Sequence, residues 1–239
     1  MKTILITGAS AGIGRATAEL FLEKGWQVGL LARSADTLNQ IAAGQANAVA
    51  LPCDVTDPVA VEAAVQRFAK QTGRLDVLFN NAGSFGTAAP IDELSLEAWT
   101  QAIDVNLNGM FYAARAAFAQ MRRQSPQGGR IINNGSVSAH APRENAVSYT
   151  VTKHAITGLT KSLSLDGRAY DIACGQIDIG NARTALLEEV AAKTPDNPPP
   201  MMDVSHVADA VLNMASLPPE ANVQFMTLMA TKMPYIGRG

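Results

Sequence analysis

Tyr149 and Lys153 stand four residues apart in a stretch that we predict to be helical over Ala146–Ala169. Side chains at this spacing lie next to each other on one face of a helix. A tyrosine titrates near pH 10 in water, so it exchanges protons poorly at neutral pH unless a nearby cation stabilises its phenolate. Lys153 can supply that cation, and lowering the tyrosine pKa by about 3 units would correspond to roughly 4 kcal/mol. The pair predicts a proton-transfer site, although either residue alone could be a packing residue or a solvated charge.

A glycine-rich turn follows the first predicted strand, Thr3–Thr7, and precedes a predicted helix, Ile13–Lys24. Gly8 permits a tight turn, Gly12 lets the backbone approach a pyrophosphate, and Gly14 lets the helix pack closely on the sheet. The free N–H groups at the start of the helix would then face the phosphates. No Gly-Lys-Ser or Gly-Lys-Thr follows, which excludes a nucleoside triphosphate loop. The turn therefore predicts a dinucleotide site.

The elements that must position these residues alternate along the whole chain. Short runs are apolar at nearly every position, which indicates strands buried on both faces, as in a parallel sheet covered by helices. We predict strands over Thr3–Thr7, Gln27–Leu31, Ala48–Pro52, Val77–Asn80, Arg130–Asn134, Asp171–Gln176 and Val223–Met229, and helices over Ile13–Lys24, Ala35–Ala43, Val59–Thr72, Leu96–Met121, Ala146–Ala169 and Val204–Ser216. The predicted fold class is α/β, a doubly wound parallel sheet of about seven strands in a single domain over residues 1–239.

Further motifs stand after the predicted strands in a fixed order. Along the chain they are Gly-x3-Gly-x-Gly, Asp54-Val55, Asn80-Asn81-Ala82-Gly83, Asn106-Leu107-Asn108-Gly109, Ser136 and Tyr149-x3-Lys153. Their spacing and order resemble the short-chain dehydrogenase/reductase family over essentially the whole chain. The resemblance implies a Rossmann-type fold and hydride transfer between a nicotinamide cofactor and a carbonyl or secondary alcohol.

The resemblance also implies a role for each motif residue. Tyr149 would give or take a proton, Ser136 would hydrogen-bond the substrate oxygen, Lys153 would also hold the nicotinamide ribose, and Asn106 would hold a water in a proton relay. Asn81 could contact the cofactor or, equally, stabilise the sheet as a turn residue. The implied cofactor contacts are Gly8, Ser10, Gly12, Ile13, Gly14, Asp54, Val55, Asn81, Ala82, Gly83, Tyr149, Lys153, Ile179, Gly180 and Thr184.

The end of the second predicted strand bears on the choice of cofactor. An NAD-preferring protein places an acidic residue there for the ribose 2′-hydroxyl. This chain has Ala32 at the strand end, followed by Arg33 and Ser34, which can bind a 2′-phosphate through charge-assisted hydrogen bonds. We therefore predict NADP rather than NAD, the alternative being that Arg33 is a solvated loop charge.

The substrate pocket is the least specific part of the sequence. Ile179 stands where the family usually has proline before Gly180, which leaves the local turn open. We predict pocket residues at Phe85, Ser138, His140, Arg143 and Arg183. The two arginines could bind a carboxylate in bidentate fashion, which would suit a 3-hydroxy or 3-oxo acid, or they could simply be solvated. The proline-rich stretch Lys193–Met202 could be a mobile lid or a plain surface loop.

Composition excludes several other classes of protein. The 239 residues include 19 Lys+Arg and 21 Asp+Glu with no basic block, which argues against nucleic-acid binding. No apolar run reaches the roughly 18 residues of a spanning helix, and no signal peptide is evident. Cys53, Cys174 and the three histidines lack the spacing of a metal site or a disulfide framework. We expect a cytoplasmic protein without metal, membrane or nucleic-acid partners.

Two questions about activity and assembly remain open at this stage. A protein of this fold that binds NADP without catalysis, as a regulator or scaffold, is the main alternative, whereas the length and glycine spacing argue against an epimerase or dehydratase with a second domain. The resemblance further implies a homo-oligomer, a dimer or tetramer. Small residues along one helix, Ala113, Ala114, Ala116, Ala117 and Ala119, would suit close approach between subunits, or they could pack on the chain's own sheet.

Overall fold

The computed structural model describes residues 1–236, so the last three residues of the predicted domain lie outside the described part. Seven parallel strands form one sheet in the order β3-β2-β1-β4-β5-β6-β7. They are β1 Thr3–Thr7, β2 Gln27–Ala32, β3 Ala48–Pro52, β4 Val77–Asn80, β5 Gly129–Asn134, β6 Ile172–Ile179 and β7 Phe225–Leu228. The doubly wound α/β fold predicted from the sequence is confirmed.

Helices cover both faces of the sheet. They are α1 Gly12–Glu23, α2 Ala35–Ala42, α3 Pro58–Thr72, α4 Leu96–Ile103, α5 Gly109–Arg123, α6 Val147–Gly167, α7 Ala185–Ala192 and α8 Val204–Ser216. One core packs α1, α2 and α8 on the sheet around Phe21 and Val211, and the other packs α3 and α5 around Phe68 and Met121. Burial on both faces explains why the central strands are apolar at nearly every position.

The strand order reverses at the centre of the sheet. From β1 the chain builds outward to β3, then returns to β4 and builds outward to β7 on the other side. In such sheets a crevice opens at the carboxyl ends of the strands where the order reverses, and ligands bind there. The fold therefore directs the ends of β1 and β4 toward one crevice.

Three elements differ from the sequence prediction. The long helix predicted over Leu96–Met121 is interrupted by a π-helical turn, Asp104–Asn108, in which Asn106 hydrogen-bonds the backbone of Ser84. β6 runs through Ile179 rather than ending at Gln176, because isoleucine at this position lets the strand keep its register with β7. The apolar segment after Thr184 forms α7.

The alanines of α5 do not form a surface between subunits. Ala113, Ala114, Ala116 and Ala117 are buried within the chain's own core, and only Ala119 is partly accessible. These side chains are small because α5 packs closely on the sheet and α3. Of the two interpretations that the sequence leaves open for these alanines, packing on the chain's own sheet is the one that the structure shows for the four buried residues.

The stretch after α7 is irregular and mostly exposed up to Pro198. It returns to the sheet at Met202, which forms a short parallel bridge with Ala182. Backbone hydrogen bonds from Met202 N to Asn181 O and from Arg183 N to Met202 O hold this end of the stretch. In the part of the chain covered by residues 1–236, no helix is both long and apolar enough to cross a membrane.

Candidate active site

A cleft of about 1410 Å³ opens at the carboxyl ends of the strands. Pockets for one drug-sized ligand measure roughly 300–1,000 Å³, so this cleft has room for a large cofactor and a substrate together. Most of the site residues predicted from the sequence line it, namely Gly8, Ser10, Gly12, Ile13, Arg33, Ser34, Asp54, Val55, Asn81, Ala82, Gly83, Phe85, Ser136, Arg143, Tyr149, Lys153, Ile179, Gly180 and Thr184.

Three of the predicted substrate residues do not line the cleft. Ser138 is fully buried in a one-turn 3₁₀ helix, and its hydroxyl has no hydrogen-bond partner. His140 contacts the carboxylate of Asp178 through its Nε2 at 2.8 Å. Arg183 is exposed beyond the bridge to Met202. Sequence proximity to the site is misleading here, since Arg183 does not line the cleft although its neighbours Ala182 and Thr184 do.

The glycine-rich turn leaves space where side chains would otherwise be. Gly8 has a φ of +69°, a conformation that glycine adopts without strain. A methyl group built on Gly14 would overlap with the carbonyl oxygen of Gly8, so α1 can approach the turn only if residue 14 has no side chain. A methyl group on Gly12 would lie 3.3 Å from Thr184 Cγ2 on the opposite wall of the cleft.

The N-terminus of α1 fits a pyrophosphate. Its N-cap residue, Ala11, offers no side-chain oxygen, so the N–H groups of the first turn have no side-chain acceptor. By contrast, α3 and α8 begin with Asp57 and Asp203, whose carboxylates accept hydrogen bonds from first-turn N–H groups. An uncapped helix start facing a cleft is suited to an anion.

The side chains of Thr7, Asn81 and Asn134 join the ends of the central strands. Thr7 Oγ1 accepts hydrogen bonds from the backbone N–H groups of Asn81 (2.8 Å) and Ala82 (2.9 Å). Asn81 Nδ2 donates to Thr7 O at 2.9 Å, and its Oδ1 accepts from Asn134 Nδ2 at 2.8 Å. Asn81 therefore stabilises the sheet, the second of its two predicted roles, while also lining the cleft.

The far end of the glycine-rich side of the cleft carries one exposed cation. Arg33 follows β2, and none of the ion pairs within residues 1–236 involves it. Hydrogen bonds from Thr56 lower the pKa of the neighbouring Asp54 carboxyl, and the charge of Arg33 lowers it further. Ser34 Oγ lies 2.8 Å from Thr37 Oγ1. No acidic residue stands at the end of β2 itself, where Ala32 precedes Arg33 and Ser34.

Lys153 is buried beside Tyr149 on the same face of α6. Its Nζ donates a hydrogen bond to Asn134 O at 2.7 Å and lies 5.6 Å from the centroid of the Tyr149 ring. Burial lowers the pKa of Lys153 to about 8, although the charge of Asp178 acts in the opposite direction. The predicted pairing of the two side chains on one helix face therefore corresponds to the structure.

The environment raises the pKa of Tyr149 instead of lowering it. Burial is the largest cause because it disfavours the phenolate. A hydrogen bond with Ser136 and the charge of Arg143 act in the opposite direction, and they do not outweigh burial. The sequence predicts that Lys153 lowers this pKa, and the direction in the structure is the opposite because burial of the phenol is the largest cause.

Ser136 and Asn106 occupy different depths of the site. Ser136 lines the cleft, and its Oγ accepts a hydrogen bond from the backbone N–H of Ser138 at 3.1 Å. Asn106 does not line it. The Asn106 carboxamide binds Ser84 on both sides, accepting from Ser84 N at 2.8 Å and donating to Ser84 O at 2.9 Å, and so holds the loop that follows β4.

Arg143 and Phe85 form the walls next to Tyr149. The Arg143 guanidinium donates to Asn181 Oδ1 at 3.3 Å, and the Phe85 ring lies 5.0 Å from the Tyr149 ring, centroid to centroid. Asn181 was not predicted from the sequence, nor were Asn134 and Asp178. The last two are polar residues among the apolar residues of β5 and β6, as Asn133 and Gln176 also are, a signal that could have identified them because buried polar side chains need partners.

Comparison with known proteins identifies this arrangement. A family model described as short chain dehydrogenase matches residues 2–195. The chain is 34% identical to the 3beta-hydroxysteroid dehydrogenase of Mediterraneibacter gnavus, over 80% of this chain and 70% of that one, and 35% identical to the L-fucose dehydrogenase of Oryctolagus cuniculus, over 82% and 68%. The crystal structure of the 3-ketoacyl-(acyl-carrier-protein) reductase from Brucella melitensis, complexed with NADH, superposes with a TM-score of 0.86 at 25% identity, over 95% of this chain and 96% of that one.

These matches extend over most of the chain and agree with the glycine-rich turn, the switch point of the sheet and the tyrosine and lysine on α6. The chain therefore belongs to the short-chain dehydrogenase/reductase family and is an NAD(P)-dependent oxidoreductase that acts on small-molecule alcohols or carbonyl compounds.

Proposed function

We propose that the protein is an NADP(H)-dependent dehydrogenase/reductase in which Tyr149 exchanges the proton with the substrate oxygen. The observation that carries the proposal is the meeting of Tyr149, Ser136 and Lys153 in the same cleft as the uncapped start of α1. When bound, the nicotinamide supplies or accepts the hydride, which no side chain of the protein can do. The glycine-rich turn and the N–H groups of α1 would hold the pyrophosphate, and Lys153 the ribose.

The protein's own side chains orient the substrate and transfer the proton. Ser136 donates a hydrogen bond to the substrate oxygen and orients it toward Tyr149. In carbonyl reduction the Tyr149 phenol donates its proton to the substrate oxygen as the hydride is transferred. In the reverse direction the phenolate accepts the alcohol proton, and the cations Lys153 and Arg143 on either side stabilise it.

Tyr149→Phe tests the proposed role of the phenol. General acid–base catalysis contributes roughly 10²–10⁴-fold, so kcat for reduction of a ketone by NADPH should fall by that factor. NADPH affinity, measured by fluorescence titration, should remain within about twofold, since the ring is retained. Tyr170→Phe, in the turn that follows α6 and outside the cleft, is the matched control. Full turnover in Tyr149→Phe would disprove the proton-transfer role.

Arg33 supports the choice of NADP. It is exposed at the end of β2, forms no ion pair within the described chain, and stands next to Ser34. A guanidinium binds a 2′-phosphate through two parallel hydrogen bonds, whereas a 2′-hydroxyl gains little from it. The arginine therefore contributes to affinity for NADP and not for NAD.

Arg33→Asp should reverse the cofactor preference. A hydrogen bond to a charged group contributes about 1.5–3 kcal/mol, so the ratio of kcat/KM for NADPH to that for NADH should fall by roughly 10- to 100-fold. Arg67→Asp, an exposed arginine on α3, makes the same change in net charge away from the cleft and should leave the ratio unchanged. An unaltered ratio in Arg33→Asp would refute the assignment.

Arg143 supports a substrate that carries a carboxylate, as in a 3-oxo or 3-hydroxy acid. It lines the cleft close enough to Tyr149 for its charge to lower the pKa of that phenol, and Asn181 holds its guanidinium. Arg183, the other predicted carboxylate ligand, is outside the cleft. A planar guanidinium next to the reacting carbonyl suits a carboxylate a few bonds away.

Acetoacetate and ethyl acetoacetate form a pair of substrates for this question, because they share the 3-oxo group and the ethyl group of the ester removes the negative charge. Arg143→Ala should lower kcat/KM for acetoacetate by roughly 10- to 100-fold and change the value for the ester by less than about threefold. Equal losses for both compounds, or none, would exclude carboxylate recognition by Arg143 and would leave neutral alcohols, such as those named for the relatives, as the substrate class.

A surface on α5 and α6 supports a homo-oligomer. Phe111 on α5 is 46% exposed, and Val151 and Leu165 on α6 are exposed as well. Large apolar side chains on neighbouring helices are suited to burial against a second copy of the chain. Light scattering should give the mass of a dimer or tetramer, and Phe111→Glu should reduce it to that of a monomer. A monomeric native protein would overturn this part of the proposal.

A further inference from the structure

Asp178 is a buried carboxylate near the end of β6. Its side chain is 1% exposed and does not line the cleft. Oδ1 accepts hydrogen bonds from the backbone N–H of Ser136 at 2.9 Å and from Gln176 Nε2 at 2.7 Å. Oδ2 lies 2.8 Å from His140 Nε2. Burying a carboxylate is costly unless its oxygens are paired, so this set of partners fixes the side chain in one position.

The residue before Ser136 is shaped to admit this carboxylate. A methyl group built on Gly135 would overlap with Asp178 Oδ1 and would lie 2.8 Å from Gln176 Nε2. Any other residue at position 135 would push the carboxylate away from the Ser136 N–H. Gly135 directly follows β5 and Asp178 lies on the neighbouring strand β6, and both are needed for the same hydrogen bond.

Gln176 continues the network away from the site. Its Nε2 also donates to Thr157 Oγ1 at 3.1 Å, and its Oε1 accepts from Thr160 Oγ1 at 3.0 Å. Thr160 in turn accepts from Asn133 Nδ2 at 2.9 Å. The carboxylate is therefore anchored to both β5, which precedes the Ser136 loop, and α6, which follows it.

We infer that Asp178 is a positioning residue for Ser136, acting through the backbone amide that it holds. The inference rests on the proposed function, in which the Ser136 hydroxyl orients the substrate oxygen. Asp178 itself does not line the cleft, so its direct contact with the catalytic residues is the Ser136 amide, while its charge acts at longer range on Lys153 and Tyr149. His140, whose side chain is 41% exposed, holds the outer oxygen of the carboxylate. Because small displacements of an orienting group reduce the rate much more than they weaken binding, the effect should fall on kcat.

Asp178→Ala and Asp178→Asn separate hydrogen bonding from charge. In Asp178→Asn the amide oxygen can still accept from Ser136 N and Gln176 Nε2, so kcat for ethyl acetoacetate with NADPH should stay within about threefold of the native value. Asp178→Ala removes the acceptor and should lower kcat by roughly 10- to 100-fold. In both variants the dissociation constant of NADPH should stay within about twofold. His154→Ala, on the exposed side of α6, is the control for loss of a polar side chain.

A second variant and a second measurement protect this test against misfolding and against failure of the proposed function. Gly135→Ala should lower kcat as Asp178→Ala does, because it displaces the same carboxylate. In protein labelled with ¹⁵N-serine, the Ser136 amide resonance should move in Asp178→Ala and Gly135→Ala and stay near its native position in Asp178→Asn.

The two readouts have distinct outcomes. Native kcat in Asp178→Ala, equal loss in Asp178→Asn and Asp178→Ala, or an unmoved Ser136 resonance in Asp178→Ala would each overturn the positioning role. If the native protein reduces neither acetoacetate nor its ethyl ester, the proposed substrate class fails, and the serine resonance still decides whether Asp178 holds Ser136.

Discussion

The two halves of the cleft bind their ligands by different means. At the ends of β1 and β2 the walls are glycines, backbone N–H groups and the exposed Arg33. At the ends of β5 and β6 they are buried polar side chains, of which Lys153 and Ser136 each have fixed partners. A large anionic cofactor can be held by many backbone groups, whereas a reacting carbonyl needs a few side chains in one arrangement. The glycine half, at the ends of β1 and β2, is therefore sensitive to added atoms. The buried half, at the ends of β5 and β6, is sensitive to lost hydrogen bonds.

Gly14→Ala should have the largest effect of these changes, and that effect should be on cofactor binding in the glycine half. The added methyl group would overlap with Gly8 O, so α1 must move away from the turn that receives the pyrophosphate. NADPH affinity should fall by at least about 100-fold, as measured by fluorescence titration. Gly158→Ala is the matched control, because no atom lies within 4 Å of its added methyl group and alanine stabilises a helix by about 1 kcal/mol relative to glycine. Unchanged affinity in Gly14→Ala would contradict the close approach seen at this turn.

Thr7→Val should weaken the hydrogen bonds that connect the end of β1 to the residues after β4. Valine keeps the shape of the side chain, but it removes the oxygen that accepts from Asn81 N and Ala82 N. Leaving buried donors without a partner costs about 1–3 kcal/mol, which urea unfolding would measure. Thr194→Val, an exposed threonine, should change stability by less than about 0.5 kcal/mol. Equal stabilities of the two variants would show that water replaces the lost oxygen.

Lys153→Met should reveal the smallest effect, a pH dependence of stability that arises in the buried half. The folded-state pKa of Lys153 is about 8, below its ordinary value of 10.5, so between these values the unfolded chain binds a proton that the folded chain lacks. Stability from this group therefore rises with pH in that window. The free energy of unfolding of the native protein relative to Lys153→Met should rise by about 1 kcal/mol from pH 8 to pH 9.

The comparison with a variant is needed because other groups titrate nearby. Burial raises the pKa of Cys53 to about 11 and that of Cys174 to about 12, which lowers stability as pH rises above 9 in both proteins. Lys161→Met, an exposed lysine on the same helix, controls for loss of charge. A constant difference between native protein and Lys153→Met over this range would show that the ammonium group is not desolvated.

The fold and the glycine half could be predicted because their signals are local. Doubly buried strands are apolar throughout, and a glycine that needs a positive φ or a close contact is visible as a glycine. The predicted fold class and family are confirmed. The roles of Tyr149, Ser136, Lys153 and Asn106 in turnover stay predictions, to be decided by the variants above.

The buried half was harder to predict because its contacts join residues far apart in sequence. Asp178, like Gln176, is a polar residue among the apolar residues of β6, and only the fold shows that Ser136 N–H and His140 contact it. The π-helical turn at Asn106 depends on Ser84, twenty-two residues away, rather than on helix propensity. The shift in the pKa of Tyr149 was predicted with the wrong sign because the sequence shows the cation and not the extent of burial.

The closeness of Gly12 and Thr184 has a consequence for kinetics. A methyl group built on Gly12 would lie 3.3 Å from Thr184 Cγ2, so the two walls lie close together at the turn. We expect a dinucleotide that binds along the turn to separate them, with a shift of α7 before or during its entry. Association measured by stopped flow should then level off at high NADPH concentration, at the rate with which the walls part, instead of increasing without limit.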